Sequence, residues 1–220
     1  MKKVTILIIS LILPMIICAQ TLSQECVSCD SNTVSLDLGA SALGSQNIST
    51  GVNSLAAGYL SEATGDYSVA MGHICKASAN YSFAFGQSTI ASQLYAFSFG
   101  KYSESTHAAA FSLGTYLTAS EQYSMVLGTG YGFSYRLENN LENTLMIGFN
   151  SDLPTLFVGK SYGTGTTGKI GIGNITNPTA KLHIRSDANE NAMIRLENTG
   201  SNKEAGIIFG DGSQIGRAHV

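Results

Sequence analysis

The sequence has 220 residues, enough for one or two small domains. Charged residues make up 12% of it and hydrophobic residues 44%, which excludes a disordered polyelectrolyte, because such chains are rich in charge and poor in apolar residues. The net charge of −3 argues against a nucleic-acid partner bound in a basic groove. The 24 glycines and 3 prolines are typical of many tight turns between short strands.

The first predicted segment is a secretory signal peptide at residues 1–19. Two lysines precede an apolar run from Val4 to Ile17, which is shorter than the roughly 20 residues of a helical membrane span. We place the cleavage after Ala19. Lipidation of Cys18 is the alternative, but Ile17 stands where a lipoprotein signal has Gly, Ala or Ser. We therefore expect an exported protein, at the cell surface, in the outer membrane or outside the cell, with no helical membrane span in the mature chain.

Residues 20–38 form a lead segment with a Cys-x-x-Cys motif. Cys26 and Cys29 lack the second ligand pair of a closed zinc site and the βαβ context of a redox motif. We interpret them as a candidate local disulfide. Cys75 is expected to be a small packed residue within a repeat.

The segment 39–132 is a repeat with a constant period of fourteen residues. In each period an apolar strand pattern ends at a glycine, and a second half-repeat with Ser, Thr, Cys or Ala anchors follows. The turn glycines predicted in register are Gly44, Gly58, Gly72, Gly86, Gly100, Gly114 and Gly128, with Gly148 in a final coil that is out of phase. The pattern predicts an all-β solenoid with two short strands and two turns per coil, and coils about 4.8 Å apart.

Large and tiny residues alternate along the strands of these coils. The large ones, which we assign to the core of the roll or of an assembly of rolls, are Val69, Met71, Phe83, Phe85, Phe97, Phe99, Phe111, Leu113, Met125 and Leu127. A coil this narrow cannot bury a bulky face alone, so neighbouring chains must supply the missing wall. This geometry predicts self-association but does not predict the number of chains in the assembly.

A tyrosine recurs at one position of the period, as Tyr67, Tyr81, Tyr95 and Tyr123. We interpret this column as an aromatic ladder stacked at a corner of the coil. The alternative is an exposed contact surface for a glycan or a protein, because tyrosine provides amphipathic contact area at low entropic cost.

The unit Asn/Tyr-Ser-x-Ala-x-Gly-x-x-Ser-x-Ala resembles the head repeat of trimeric autotransporter adhesins, the YadA-like head, over about residues 39 to 128. The resemblance implies a left-handed parallel β-roll, a homotrimer and an adhesive role at the cell surface. Two features depart from the family: the chain has neither the heptads of a coiled-coil stalk nor the strands of a β-barrel anchor, and phenylalanine often replaces the usual aliphatic residue.

Residues 133–168 are interpreted as a final coil, a cap and a linker. From Lys169 onward the pattern Lys-Ile-Gly-Ile-Gly, followed by Asn-Pro-Thr-Ala-Lys-Leu-His-Ile from Asn177, resembles the segment that opens fibre modules of secreted Bacteroidetes proteins and phage tail fibres. This resemblance implies a small β-rich fibre module at residues 169–220. Because the chain ends directly after a strand and turn pattern, we expect a truncated reading frame.

No residue is assigned a catalytic, cofactor-binding or metal-binding role. The histidines lack an acid and a hydroxyl in motif spacing, and a period of fourteen is incompatible with the hexapeptide period of β-helix acyltransferases. We predict a non-catalytic, cell-surface trimeric adhesin head that attaches to a host extracellular-matrix protein or a glycan. The alternative is a structural fibre or spacer with no ligand of its own.

Overall fold

The computed structural model describes residues 29–35, 38–186, 191–192, 194, 208–210 and 215–217. The predicted signal peptide, Cys26 and His219 lie outside this part of the chain. The described residues form strands and turns and almost no helix. None of their helical segments has the length and apolar character needed to cross a membrane.

Two sheets contain nearly all of the strands in the described part of the chain. The twelve strands of the first, the long-strand sheet, are β1 (Cys29–Asp30), β3 (Ser41–Ser45), β5 (Leu55–Tyr59), β7 (Val69–His73), β9 (Phe83–Gln87), β11 (Phe97–Lys101), β13 (Phe111–Thr115), β15 (Met125–Thr129), β17 (Leu145–Phe149), β18 (Leu156–Val158), β19 (Ile170–Ile172) and β20 (Leu182–Ile184). The eight strands of the second, the short-strand sheet, are β2 (Thr33–Val34), β4 (Ile48–Ser49), β6 (Glu62–Ala63), β8 (Lys76–Ala77), β10 (Ile90–Ala91), β12 (Glu104–Ser105), β14 (Leu117–Ala119) and β16 (Leu137–Asn139). A separate antiparallel pair is formed by β21 (Ile208–Gly210) and β22 (Ile215–Arg217).

Each coil adds one strand to each sheet, and equivalent residues pair in register. Phe97 pairs with Phe83 on one side and with Phe111 on the other, each fourteen residues away. All strand pairs from β1 to β17 and throughout the short-strand sheet are parallel. The predicted all-β fold, a parallel β-roll with 14-residue coils, is confirmed.

The interior of the roll is narrow and is lined by small side chains. One interior column of the long-strand sheet consists of buried Ala42, Ala56, Ala70, Ala84, Ser98, Ser112, Val126 and Met146. The other interior columns are likewise rich in Ala, Ser and Cys over the first coils. Two facing strands joined by tight turns leave space for small groups alone, which explains why every second residue of the long strands is small.

Serine hydroxyl groups inside the roll are hydrogen-bonded to one another and to the backbone, whereas the buried hydroxyl of Thr89 has no partner among the described residues. Ser112 Oγ lies 3.0 Å from Ser98 Oγ and 2.9 Å from Ser105 Oγ, and Ser98 Oγ donates to the carbonyl of Ser103 at 2.8 Å. A buried hydroxyl without a partner costs about 1–3 kcal/mol. The serine network therefore lets the coil use small polar residues in its interior without that penalty.

The repeat glycines allow adjacent coils to approach closely. Gly100 has a φ of +124°, and a Cβ built on it would lie 1.9 Å from the carbonyl oxygen of Gly114 in the next coil. That same oxygen accepts a hydrogen bond from Ser103 Oγ at 2.9 Å. An L-residue at this position would therefore meet both backbone strain and a backbone clash.

The interior widens and is closed at the C-terminal end of the roll. Leu117, Val126, Leu137 and Met146 replace the small residues of earlier coils, and Phe157 of β18 packs against this cluster with 2% of its surface exposed. β18 pairs antiparallel with β17, so the winding of the roll ends there. Phe157 fills the end of the interior and acts as its plug.

Candidate functional site

An outward-facing apolar stripe runs along the long-strand sheet. It consists of the bulky residues at strand positions one and three, from Val69 and Met71 to Met125 and Leu127. They alternate with the buried small residues, so they point away from the interior. Exposed fractions along the stripe reach 46% at Phe99 and 41% at Leu113.

This placement corrects one part of the sequence interpretation. The stripe, namely Val69, Met71, Phe83, Phe85, Phe97, Phe99, Phe111, Leu113, Met125 and Leu127, is half-buried to exposed and does not form the core of the roll itself. The reason is the width of the coil, which admits Ala, Ser or Val inside and excludes Phe over these coils. A role for the stripe in a core between chains stays a prediction.

The phenylalanines of the stripe touch from coil to coil. The rings of Phe97 and Phe111 stack with centroids 5.0 Å apart, and those of Phe83 and Phe97 lie 6.1 Å apart. Phe85 and Phe99 form a second row beside the first, with their ring centroids 6.1 Å apart and their planes tilted by 33°. In-register strands bring equivalent side chains together, so a residue repeated along the sequence becomes a continuous apolar surface.

The tyrosine column lies at the corner that precedes each long strand. Tyr67 and Tyr81 stack at 5.1 Å and Tyr81 and Tyr95 at 5.2 Å, whereas Ala109 separates Tyr95 from Tyr123. Each of these tyrosines is exposed and has a φ between +55° and +59°. The column is therefore a ladder with a gap, and its residues adopt a left-handed conformation that L-residues seldom take.

Two short aromatic stacks that were not predicted from the sequence lie just after the repeat glycines. Tyr59 stacks on His73 at 5.5 Å, one position after the glycine, and Tyr102 stacks on Tyr116 at 5.4 Å, two positions after it. The spacing of fourteen residues within each pair was a signal for these contacts. Most other coils carry non-aromatic residues at both positions, so neither stack continues as a repeated column.

A projecting hairpin lies between β15 and β16, at the six-residue excess over the repeat period. Its residues 131–135 carry three exposed aromatic side chains, Tyr131, Phe133 and Tyr135, with 67%, 66% and 59% of their surfaces exposed. Backbone bonds from the Tyr131 amide to the Tyr135 carbonyl (3.0 Å) and from the Tyr135 amide to the Gly132 carbonyl (3.1 Å) close the turn. The sequence shows the excess residues but gives no sign that their aromatic side chains converge.

An ion pair fixes the base of this hairpin to earlier coils. Arg136 Nη2 lies 2.9 Å from Glu104 Oε1, and both side chains are largely buried. The Arg136 guanidinium also lies over the Phe133 ring at 5.0 Å, and Phe133 meets the Tyr102 ring edge-on at 6.0 Å. Since Arg136 and Glu104 are far apart along the chain, this contact depends on the stacking of coils.

Beside the hairpin, Tyr131 and Tyr135 line an open cleft with Asn150, Ser151 and Asp152. Its volume of about 360 Å³ is within the range of small-molecule sites. The Tyr131 and Tyr135 rings meet edge to face at 6.2 Å, so one ring face is held in position.

Among the side chains that the structure describes, Cys75 and the other ionisable residues do not assemble into a metal or catalytic centre. Cys75 is fully buried with a free thiol, which donates to the carbonyl of Gly86 at 3.1 Å. The candidate Cys26–Cys29 disulfide lies outside the described side chains. Within the described ranges, no group of three or more His, Cys, Asp or Glu side chains could hold a metal ion.

Comparison with known families gives one finding. The model of the YadA head domain repeat matches residues 38–61, 49–73 and 76–103. These stretches fall within the β-roll, from the turn before β3 to the turn before β12. Neither the curated proteins nor the solved structures contain a match to the chain.

Proposed function

We propose that the chain is an exported, non-catalytic adhesin head that forms a homotrimer at the cell surface and attaches to host or matrix partners. The match of residues within 38–103 to the YadA head domain repeat supports this proposal. YadA head repeats are an adhesin-type structural domain and not an enzyme family. The observation that carries the proposal is the apolar stripe on a β-roll of these repeats. From Val69 to Phe99 the stripe lies on strands that contain matched residues, and it continues onto β13 and β15 beyond the match. It leaves large apolar side chains uncovered in the single chain.

The stripe supports assembly because monomeric soluble proteins seldom expose contiguous apolar surface of this length. In a trimer with a three-fold axis along the roll, each chain would present its stripe to the axis and to a neighbour. Phe97 and Phe99, on one strand, would then exchange water for the side chains of two other copies. Burial of apolar area stabilises by about 25 cal/mol per Å², so a row of such residues provides a large driving force.

Three parallel copies also support attachment. Each copy would repeat the same exposed aromatic features, namely the tyrosine column, Tyr59 with His73, and the hairpin at 131–135. Weak contacts made simultaneously at three identical positions raise apparent affinity without a strong single site. This is the physical basis for adhesion by a rod of low charge.

The assembly is tested by light scattering coupled to gel filtration of the full chain, with a charge placed in the stripe. We expect three times the monomer mass for the unaltered protein and one monomer mass for Phe99→Glu, because a trimer would have to bury a carboxylate near its axis. Gln93→Glu adds the same charge at an exposed corner of an adjacent coil and should remain trimeric. A monomeric unaltered chain, or a trimeric Phe99→Glu variant, would contradict the proposal.

The adhesive part is tested by binding of the trimer to immobilised matrix proteins, cell surfaces and glycans. Saturable binding to any of these, lost when the trimer is dissociated by Phe99→Glu, is the expected result. One observation favours a structural fibre or spacer as the second candidate. The long-strand sheet continues past the plug through β19 and β20, as a connecting element would. A trimer that binds none of these surfaces would support the spacer.

A further inference from the structure

We propose that the cleft between the 131–135 hairpin and residues 150–152 binds one neutral sugar residue of a glycan. This inference rests on the proposed adhesive function and specifies a ligand class and a location for it. The residues that would make contact are Tyr131, Tyr135, Asn150 and Asp152.

The cleft is held open by a hairpin that is anchored at its base. The Glu104–Arg136 ion pair and the contact of Arg136 with the Phe133 ring fix the strand that leaves the hairpin. On the opposite side, the amide of Asn150 donates to Thr129 Oγ1 at 2.8 Å, and the amide of Leu153 donates to Ser151 Oγ at 3.0 Å. Both walls are therefore positioned before any ligand arrives, which lowers the entropic cost of binding.

The lining combines an aromatic face with hydrogen-bonding groups. The axial C–H groups of a pyranose ring carry partial positive charge and pack on the negative face of a tyrosine ring. Around that face, the Tyr131 and Tyr135 hydroxyls, the side-chain amide of Asn150 and the Asp152 carboxylate make no hydrogen bond to other described side chains or backbone groups. They are thus available to the hydroxyls of a sugar, as in sites where a few polar groups fix the orientation of a ligand.

The charge of the cleft favours a neutral sugar over an acidic one. Among the described residues, its lining contains the Asp152 carboxylate and no Lys or Arg side chain. The nearby cation, Arg136, is already paired with Glu104 and stacked on Phe133. A sialic or uronic acid would place its carboxylate beside Asp152 without a compensating cation, and like charges in proximity are unfavourable.

The site is tested with the full chain and a panel of neutral oligosaccharides (lactose, maltohexaose, cellohexaose and chitohexaose), with sialyllactose as the acidic comparison. Ligand-observed NMR should detect saturable binding of at least one neutral member, with a Kd on the order of 1 mM for a single open site. The double variant Tyr131→Ala/Tyr135→Ala should weaken this binding by about ten-fold or more. Tyr123→Ala, which removes another exposed tyrosine at the corner before β15, should leave it unchanged.

Two further variants separate the parts of the site. Tyr131→Phe/Tyr135→Phe keeps the rings and should retain most of the affinity, whereas Asp152→Ala should lower affinity while leaving circular dichroism unaltered. The proposal is overturned if no neutral oligosaccharide binds, if sialyllactose binds most tightly, or if the Tyr131/Tyr135 double variant binds as the unaltered chain does. Attachment to matrix or cells that persists in that double variant would refute the sugar site and leave the adhesive function standing.

Discussion

Replacement of Gly100 by alanine is a direct test of how the coils are held together. The substitution adds one methyl group to a residue with a φ of +124°, a conformation that costs an L-residue about 1–3 kcal/mol. The same methyl group would lie 1.9 Å from the carbonyl oxygen of Gly114, so the two coils must separate locally. Separation lengthens the backbone bonds between β11 and β13, each worth about 0.5–1.5 kcal/mol net, and weakens the bond from Ser103 Oγ.

The sum is a loss of roughly 3 kcal/mol or more in the free energy of unfolding. For a domain of 150–250 residues each kcal/mol corresponds to about 2–4 °C in Tm, so we expect a fall of at least about 6 °C. Thermal unfolding should be followed by circular dichroism at one fixed protein concentration, because association itself shifts the Tm.

Two matched glycine variants separate the clash from the backbone strain. Gly163 has a φ of +117° but no atom within 4 Å of a Cβ, so Gly163→Ala reports strain without a clash. Gly132 has neither feature, and Gly132→Ala should change the Tm by no more than about 1–2 °C. If Gly100→Ala proved no more damaging than Gly163→Ala, the close approach of adjacent coils would not limit stability and the reasoning would be refuted.

Three other predictions follow from the packing. Phe157→Ala should lower the free energy of unfolding in urea by about 3–5 kcal/mol, because it removes the side chain that fills the end of the roll. Phe149, which is 68% exposed, is the control, and Phe149→Ala should cost less than about 0.5 kcal/mol. Equal effects of the two variants would rule out the plug. Ala109→Tyr fills the gap in the tyrosine column, at a residue whose φ of +53° matches that of the column tyrosines. Ring stacking should raise the free energy of unfolding by about 1 kcal/mol. An unaltered Tm would mean that ring stacking contributes nothing there. In alkylation followed by mass spectrometry, the buried Cys75 should react only once the chain is unfolded, and the Cys-x-x-Cys pair only once it is reduced. Labelling of Cys75 in the folded chain would contradict its burial.

The agreement between sequence and structure is best at the level of the coil. Phe83, Phe97 and Phe111 stand at equal intervals in the sequence and pair as neighbours in the sheet. This was predictable because a solenoid repeats the same backbone hydrogen bonds at every coil. A constant spacing along the chain therefore becomes a straight column of side chains in space. The alternation of large and small residues likewise specified two faces of each strand.

The sequence was ambiguous about which of those faces lies inside. Large apolar residues are ordinarily placed in a core, yet here Phe99 is outside and Ser98 inside, because the distance between the two sheets admits only small groups. The backbone conformation of the corner could not be predicted either. Tyrosines at positive φ, such as Tyr81, carry no sequence signal that distinguishes them from residues of an ordinary turn.

By itself, then, the sequence determined the period, the register of the repeat glycines and the stacking of short parallel strands, since these depend on residues within one coil and its immediate neighbour. The tertiary structure alone decided the plug at Phe157, the Glu104–Arg136 ion pair and the cleft beside Tyr131. Each of these joins residues from different coils across an interruption of the period. Such contacts depend on the path of the chain after the repeat is broken, and that path is set by which side chains fill the open end of the interior.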